Sequence, residues 1–169
     1  AAADRSALHA AAVLGQRFSL EAVRLLVKDP DYDFTGLIDE VLVRPEGGEF
    51  LFTHALIRDA VYASLLKSER CQLHIQAADW YARRDIGLSA HHLDYAGEPS
   101  AAHAYLGATS EQASRYQFAS AIKNADRGLE IGGAPQLMFD LACARGEALT
   151  ELGEIENAVS SFDRALTEG

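Results

Sequence analysis

At 169 residues, with 49% hydrophobic and 24% charged side chains, the chain has a globular balance and enough length for one ordinary core or two small ones. Its 25 acidic against 15 basic residues give a formal net charge of -10, which opposes sequence-independent attachment to phosphate backbones or anionic membranes. Cys71 and Cys143 lie far apart with no CxxC pair, which argues against a zinc ribbon or disulfide framework and fits a reducing cytoplasm, and no stretch approaches the roughly 18 apolar residues of a spanning helix.

The start, Ala1 to Arg5, has no signal-peptide pattern and no initiator methionine, so the sequence reads as a piece of a longer protein. A compact alanine-rich helix is expected from Ser6 to Leu14, stopped by Gly15. Ser19 is a good N-cap for a second short helix with Val23, Leu26 and Val27 on its apolar face, closed by Asp29 and Pro30. A third runs from about Asp33 to Val41. Val41 to Val43 and Phe50 to Phe52 are β-prone runs, and the Pro and Gly content between them is that of a hairpin turn. Thr53 looks like the N-cap of a helix through Leu66 that buries Leu56, Ala60, Tyr62 or Ala63, and Leu65. Further helices are expected over Glu69 to Arg83, with Leu73, Ala77, Trp80 and Tyr81 inside, and over Leu88 to Asp94.

Two stretches, Ser100 to Ile131 and Ala134 to Leu166, each read as a helix hairpin. They align on each other at an offset of 37 residues, Ala121, Ile122, Ala125 and Leu129 falling opposite Ala158, Val159, Phe162 and Leu166. Gly146, Leu149, Gly153, Ala158, Phe162 and Ala165 resemble the tetratricopeptide consensus closely. The first stretch fits with Tyr105, Ala108, Ala121 and Ala125 but has Thr109 where Gly or Ala is usual and Gly128 where Ala is usual.

Leu8 to Gly15 with Phe18 and Ser19, Phe50 to Tyr62, and Leu88 to Leu93 resemble the winged-helix region of signal-transduction ATPases with numerous domains. In that family an AAA-type ATPase is followed by a winged helix and then by tetratricopeptide repeats. The resemblance implies a mainly α chain: a winged-helix-like unit with a small β-hairpin over residues 1–52, linking helices over 53–99, and two tetratricopeptide-type hairpins of a right-handed superhelix over 100–169. It implies a non-catalytic segment coupling an ATPase switch to a repeat array. Two alternatives stay open, a stand-alone repeat scaffold or adaptor, and a fragment of an adenylate or guanylate cyclase whose catalytic domain lies elsewhere. The sequence holds no GxxxxGK[ST] phosphate loop, so no cofactor is expected in this segment.

Winged helices often read DNA, yet from Lys28 to Phe52 the basic residues are Lys28 and Arg44 against seven acids, so nucleic acid is not expected as a partner. In the resembling ATPases a histidine after the wing can reach the β-phosphate of bound ADP. His54 holds that place, and it reads either as such a sensor or as a first-turn helix residue. His91, His92, Asp94 and His103 offer metal-ligand types, but adjacent helical histidines diverge by about 100°, and a structural role is expected. Cys71 with His74, one turn away, lacks the third group a thiol nucleophile needs. On the repeats, the groove-lining positions are His103, Leu106 and Ser110, then Asp140, Cys143, Glu147, Thr150 and Glu151. The second set is acidic and suits a basic peptide or protein, with the upstream ATPase domain as the partner in cis.

Overall fold

A computed structural model describes residues 2–168. Among them are ten helices and one three-stranded sheet, so the chain is mainly α. It divides into two compact units, Ala1–Trp80 and Tyr81–Gly169. The boundary falls within the 53–99 stretch.

The first unit opens with α1 (Ala2–Leu14), four residues longer than its apolar pattern suggests, with Ala7, Ala10, Ala11 and Ala12 wholly buried. β1 (Arg17–Phe18) follows, then α2 (Leu20–Val27), whose Ser19 side chain accepts from the Ala22 N–H as the N-cap role requires. α3 spans only Thr35–Asp39. It ends there because Val41 adopts φ +57, a left-handed conformation that continues neither helix nor strand. The first hairpin strand therefore starts late, as β2 (Val43–Glu46), and pairs with β3 (Glu49–Phe52). Gly47 and Gly48, at φ +61 and +88, make the two-residue turn, and such turns need glycine because both central residues have positive φ. Pro45 is tolerated because β2 is an edge strand of the order β1-β3-β2.

The unit's core is aromatic. Phe18 meets Phe34 and Phe52 edge-on at 5.6 and 5.3 Å between ring centres, and Phe34 lies 4.6 Å from Phe50. α4 is Ala55–Ser64 and α5 is Lys67–Tyr81. Two expectations fail at α4. Thr53 is not its cap: the hydroxyl donates to the Val41 and Leu42 carbonyls, and His54 holds the N-cap position without a side-chain capping bond. Nor are Leu56 and Ala60 inside, both being exposed, Leu56 by 80%, whereas Leu65 is buried as expected. The half-buried residues are Ile57, Arg58, Val61 and Tyr62, a face set by Arg58, whose Nε donates to the Ala12 carbonyl of α1. In α5 the fully buried residues are His74, Ala77 and Ala78, while Trp80 and Tyr81 are half-buried.

The second unit is helical throughout: α6 (Ile86–Ala96), α7 (Ala101–Ser114), α8 (Phe118–Ile131), α9 (Pro135–Glu151) and α10 (Ile155–Glu168). Each helix packs on the next, and α7 also meets α9. Three-residue turns join α7 to α8 and α9 to α10, which makes each pair an antiparallel hairpin. Leu129, Leu137, Leu141, Ala142 and Ala165 form a buried cluster that ties α8, α9 and α10 together. Close approach depends on missing side chains: a Cβ at Gly128 would sit 2.8 Å from Leu141 Cδ2, and one at Gly146 would sit 2.6 Å from Phe162 Cε1. Thr109, expected to be an awkward substitute for a small residue, is fully buried, and its hydroxyl donates to the Tyr105 carbonyl at 2.8 Å.

Candidate functional site

His54 sits at the head of α4, exposed, with φ -140 and ψ 135. Its backbone carbonyl accepts from the Ile57 N–H, while its ring makes no hydrogen bond or ion pair with a described residue. Close in sequence, Thr53 locks the backbone to the Val41–Leu42 corner, so the histidine is held on a defined turn. The arginines of the three-stranded sheet are already engaged: Arg44 pairs with Glu46 at 3.1 Å, and Arg17 of β1 pairs with Glu46 and with Glu49.

On the second unit, His103, Leu106 and Ser110 share one face of α7, and the Ser110 hydroxyl is turned back onto the Leu106 carbonyl. Leu106 packs beside Met138, Phe139 and Cys143 against the buried cluster, so its contribution is largely structural. Asp140 accepts from Gln136 at 2.9 Å, and the Thr150 hydroxyl donates to the Gly146 carbonyl at 2.8 Å. Glu147 and Glu151 are brought together with Ala113, Ser114, Tyr116 and Phe118 around a groove of about 420 Å³. His103, Leu106, Ser110, Asp140 and Thr150 lie outside that lining.

The aromatic half of this groove escapes a sequence reading centred on helix faces, because it lies at the α7–α8 turn. Tyr116 is 82% exposed, has φ +61, and sets its ring edge-on to Phe118 at 6.1 Å. Its mate in the 37-residue alignment is Gly153, at φ +77, which holds the same left-handed conformation without a Cβ. A tyrosine there carries backbone strain that glycine would avoid. Tyr116→Gly is expected to stabilise the chain by about 0.5 to 1 kcal/mol, read as a higher urea midpoint, while removing the groove's aromatic wall.

A larger groove, about 770 Å³, lies between α6 and α8 over α7. Asp94 and Arg127 close one end: Arg127 Nε and Nη2 donate to Asp94 at 2.7 and 3.0 Å, and the Tyr105 hydroxyl donates to the same carboxylate at 3.3 Å. The Arg127 guanidinium holds the Asp94 carboxyl below the usual carboxylate range, and burial pushes the Tyr105 phenol up. At the other end Asp85 caps α6 by accepting from the Leu88 N–H, and Asn124 donates to Gln112. His91 stands over Tyr95 at 4.4 Å, its basicity lowered by burial. A carboxylate so held is a weak base. This groove escapes the sequence reading, and only its α8 wall has a signal there, the polar stripe Ser120, Lys123, Asn124 and Arg127.

The remaining candidates are held by other neighbours. His92 is buried and stacks on Tyr81 with ring planes 7° apart, whereas His91 turns to Tyr95. Among the described residues no group of three or more His, Cys, Asp or Glu could hold a metal ion. His74 is engaged by the Tyr62 hydroxyl at 2.9 Å, and Cys143 is a half-buried thiol made less acidic by burial. No helix among the described residues is long and apolar enough to cross a membrane. Comparison with models of known protein families, with curated proteins and with solved structures finds no match to this chain.

Proposed function

We propose that the chain is a non-catalytic regulatory and protein-interaction segment that couples an ATPase switch to a tetratricopeptide sensor array within a larger signalling protein. What carries this is the order of parts: α1-β1-α2-α3 and a β2–β3 hairpin in the sheet order β1-β3-β2, then a unit of successive helix hairpins. That is the order expected of a winged helix followed by tetratricopeptide repeats. The glycine-dependent contacts of Gly128 and Gly146 support the repeat assignment, since such hairpins interlock through small residues.

In this role the exposed His54 ring donates a hydrogen bond to a phosphate of nucleotide held by the ATPase domain in cis. Loss of nucleotide frees the winged unit to rotate as a body. Glu147 and Glu151, with Tyr116 and Phe118, take a basic side chain of a peptide or protein by charge and cation–π attraction. Nucleic acid is not the expected partner, since Arg44 of the hairpin and Arg17 of β1 both pair with Glu46 within the chain.

The test is calorimetric ADP binding to the longer protein this function requires, comparing the natural sequence with His54→Ala. ADP binding weakened by about 1 to 3 kcal/mol, the size of a lost hydrogen bond to a charged group, supports the switch. No phosphate loop upstream, no nucleotide binding, or an unchanged affinity removes the switch and leaves a repeat scaffold.

A further inference from the structure

The groove of about 420 Å³ beside the α7–α8 turn has two unlike walls. Tyr116 and Phe118 form one, their rings 89° apart. Glu147 and Glu151, one turn apart on α9, form the other, and the side chains of Ala113 and Ala148 between them are small. Both carboxylates are exposed, and neither pairs with a described residue. The cations closest in sequence are held elsewhere, Arg115 by Glu111 and Arg145 by Asp126. Like charges four residues apart on a helix repel, so this wall lacks a cation that the chain does not supply.

The tyrosine is an independent observation. Its φ of +61 is unfavourable for an L-residue, and its mate in the second hairpin, Gly153, takes the same turn as glycine. The strain gains no burial, since Tyr116 is 82% exposed. Backbone strain kept beneath an exposed ring fits a ligand clamp better than it fits packing.

Together the walls discriminate between cations. A lysine ammonium is a compact, strongly hydrated point charge and keeps its water in so open a groove. A guanidinium is flat and weakly hydrated. It lays one face on an aromatic ring while its in-plane N–H groups fork towards two carboxylates at once. An aromatic wall beside a wall of paired carboxylates is the complement of that shape.

We propose that this groove is an arginine pocket for a partner protein, in which the guanidinium stacks on Tyr116 and donates to Glu147 and Glu151. The proposal rests on the reading of the groove as a site for a basic side chain and deepens it, because that reading admits lysine equally and an arginine pocket does not.

The probe is a glycine–serine pentapeptide, blocked at both ends, with one central arginine, titrated into the full chain and followed by backbone amide shifts in two-dimensional NMR. Saturable shifts are expected at residues 113–118 and 147–151, with the matching lysine peptide bound about fivefold more weakly. Tyr116→Gly should weaken the arginine peptide about fivefold, whereas Tyr116→Phe, which keeps a ring, should bind it as the natural chain does. Tyr116→Gly is also the variant expected to raise the urea midpoint, so its loss of binding does not come from unfolding. Glu147→Gln with Glu151→Gln should weaken binding at least as much as Tyr116→Gly. Full binding by Tyr116→Gly or by the double glutamine variant, or a loss in Tyr116→Phe equal to that of the glycine variant, overturns the proposal. Equal binding of the lysine and arginine peptides overturns it too, while leaving the broader reading of a basic side chain in place. No saturable shift with either peptide overturns both.

Discussion

Leu141→Ala is expected to destabilise the chain by about 3 to 4 kcal/mol, within the range for emptying a fully buried leucine site. Leu141 is 0% exposed and lies in the cluster that joins α8, α9 and α10, so its removal leaves a cavity that helical neighbours cannot easily close. The urea midpoint should fall with little change in slope. Gly128 makes the experiment specific. A Cβ at position 128 would lie 2.8 and 3.0 Å from the two Leu141 methyl carbons and 3.3 Å from Tyr105 Cβ. In the natural sequence Gly128→Ala therefore sets overpacking against the helix preference for alanine, roughly 1 kcal/mol on each side, and the net change is small. With Leu141→Ala already in place the two contacts with Leu141 are gone and only the 3.3 Å approach to Tyr105 Cβ remains, so the same substitution should stabilise by up to about 1 kcal/mol. Additive effects of the two would show that α9 does not seat Leu141 on the α8 backbone.

That pair also marks how far the sequence could be read. Gly128 counted as a departure from the repeat consensus, and only the position of Leu141 shows it to be a packing solution. Thr109 is similar: its hydroxyl, bonded to a carbonyl in its own helix, makes a buried polar side chain acceptable. The helices of the second unit were legible because apolar periodicity, Gly132 and Pro135 mark their limits within a few residues. The first unit was harder. β1 is two residues long and owes its existence to pairing with β3, which no local pattern announces. α4 was assigned its inner face from the exposed Leu56, because periodicity alone cannot foresee that Arg58 would be drawn to the Ala12 carbonyl.

Legibility of the candidate sites followed the same division. Acidic residues on one side of α9 could be counted, and Glu147 and Glu151 do line a groove. Its aromatic wall could not be inferred, because a non-glycine residue at positive φ contradicts turn chemistry. The α6–α8 groove joins residues about 30 positions apart, such as Asp94 and Arg127, and single-sequence patterns carry no signal for pairings at that range.

Acid should loosen the second unit well before its carboxylates titrate. Burial of His92, with a smaller contribution from the neighbouring His91, lowers its pKa from 6.5 to about 4. The folded state therefore favours the neutral ring, while the unfolded chain takes up a proton near pH 6.5. Above that pH both states are neutral at this site and stability is level. As pH falls from 6.5 towards 4 the unfolded state binds the extra proton, and stability falls by as much as roughly 3 kcal/mol. His91, also lowered by burial, adds to the loss in the same direction. Asp94 acts in a separate window: its depressed carboxyl contributes stability above its ordinary value of 3.8 and loses it only as pH falls through the lower folded value. Hydrogen exchange of α6 and α7 amides in the full chain, compared between pH 7 and pH 4.5 after correction for intrinsic rates, reads the first window directly. His92→Gln should be less stable at pH 7, having lost the stack on Tyr81, yet show a much flatter pH dependence. A variant that keeps the natural slope would place the acid sensitivity on another group.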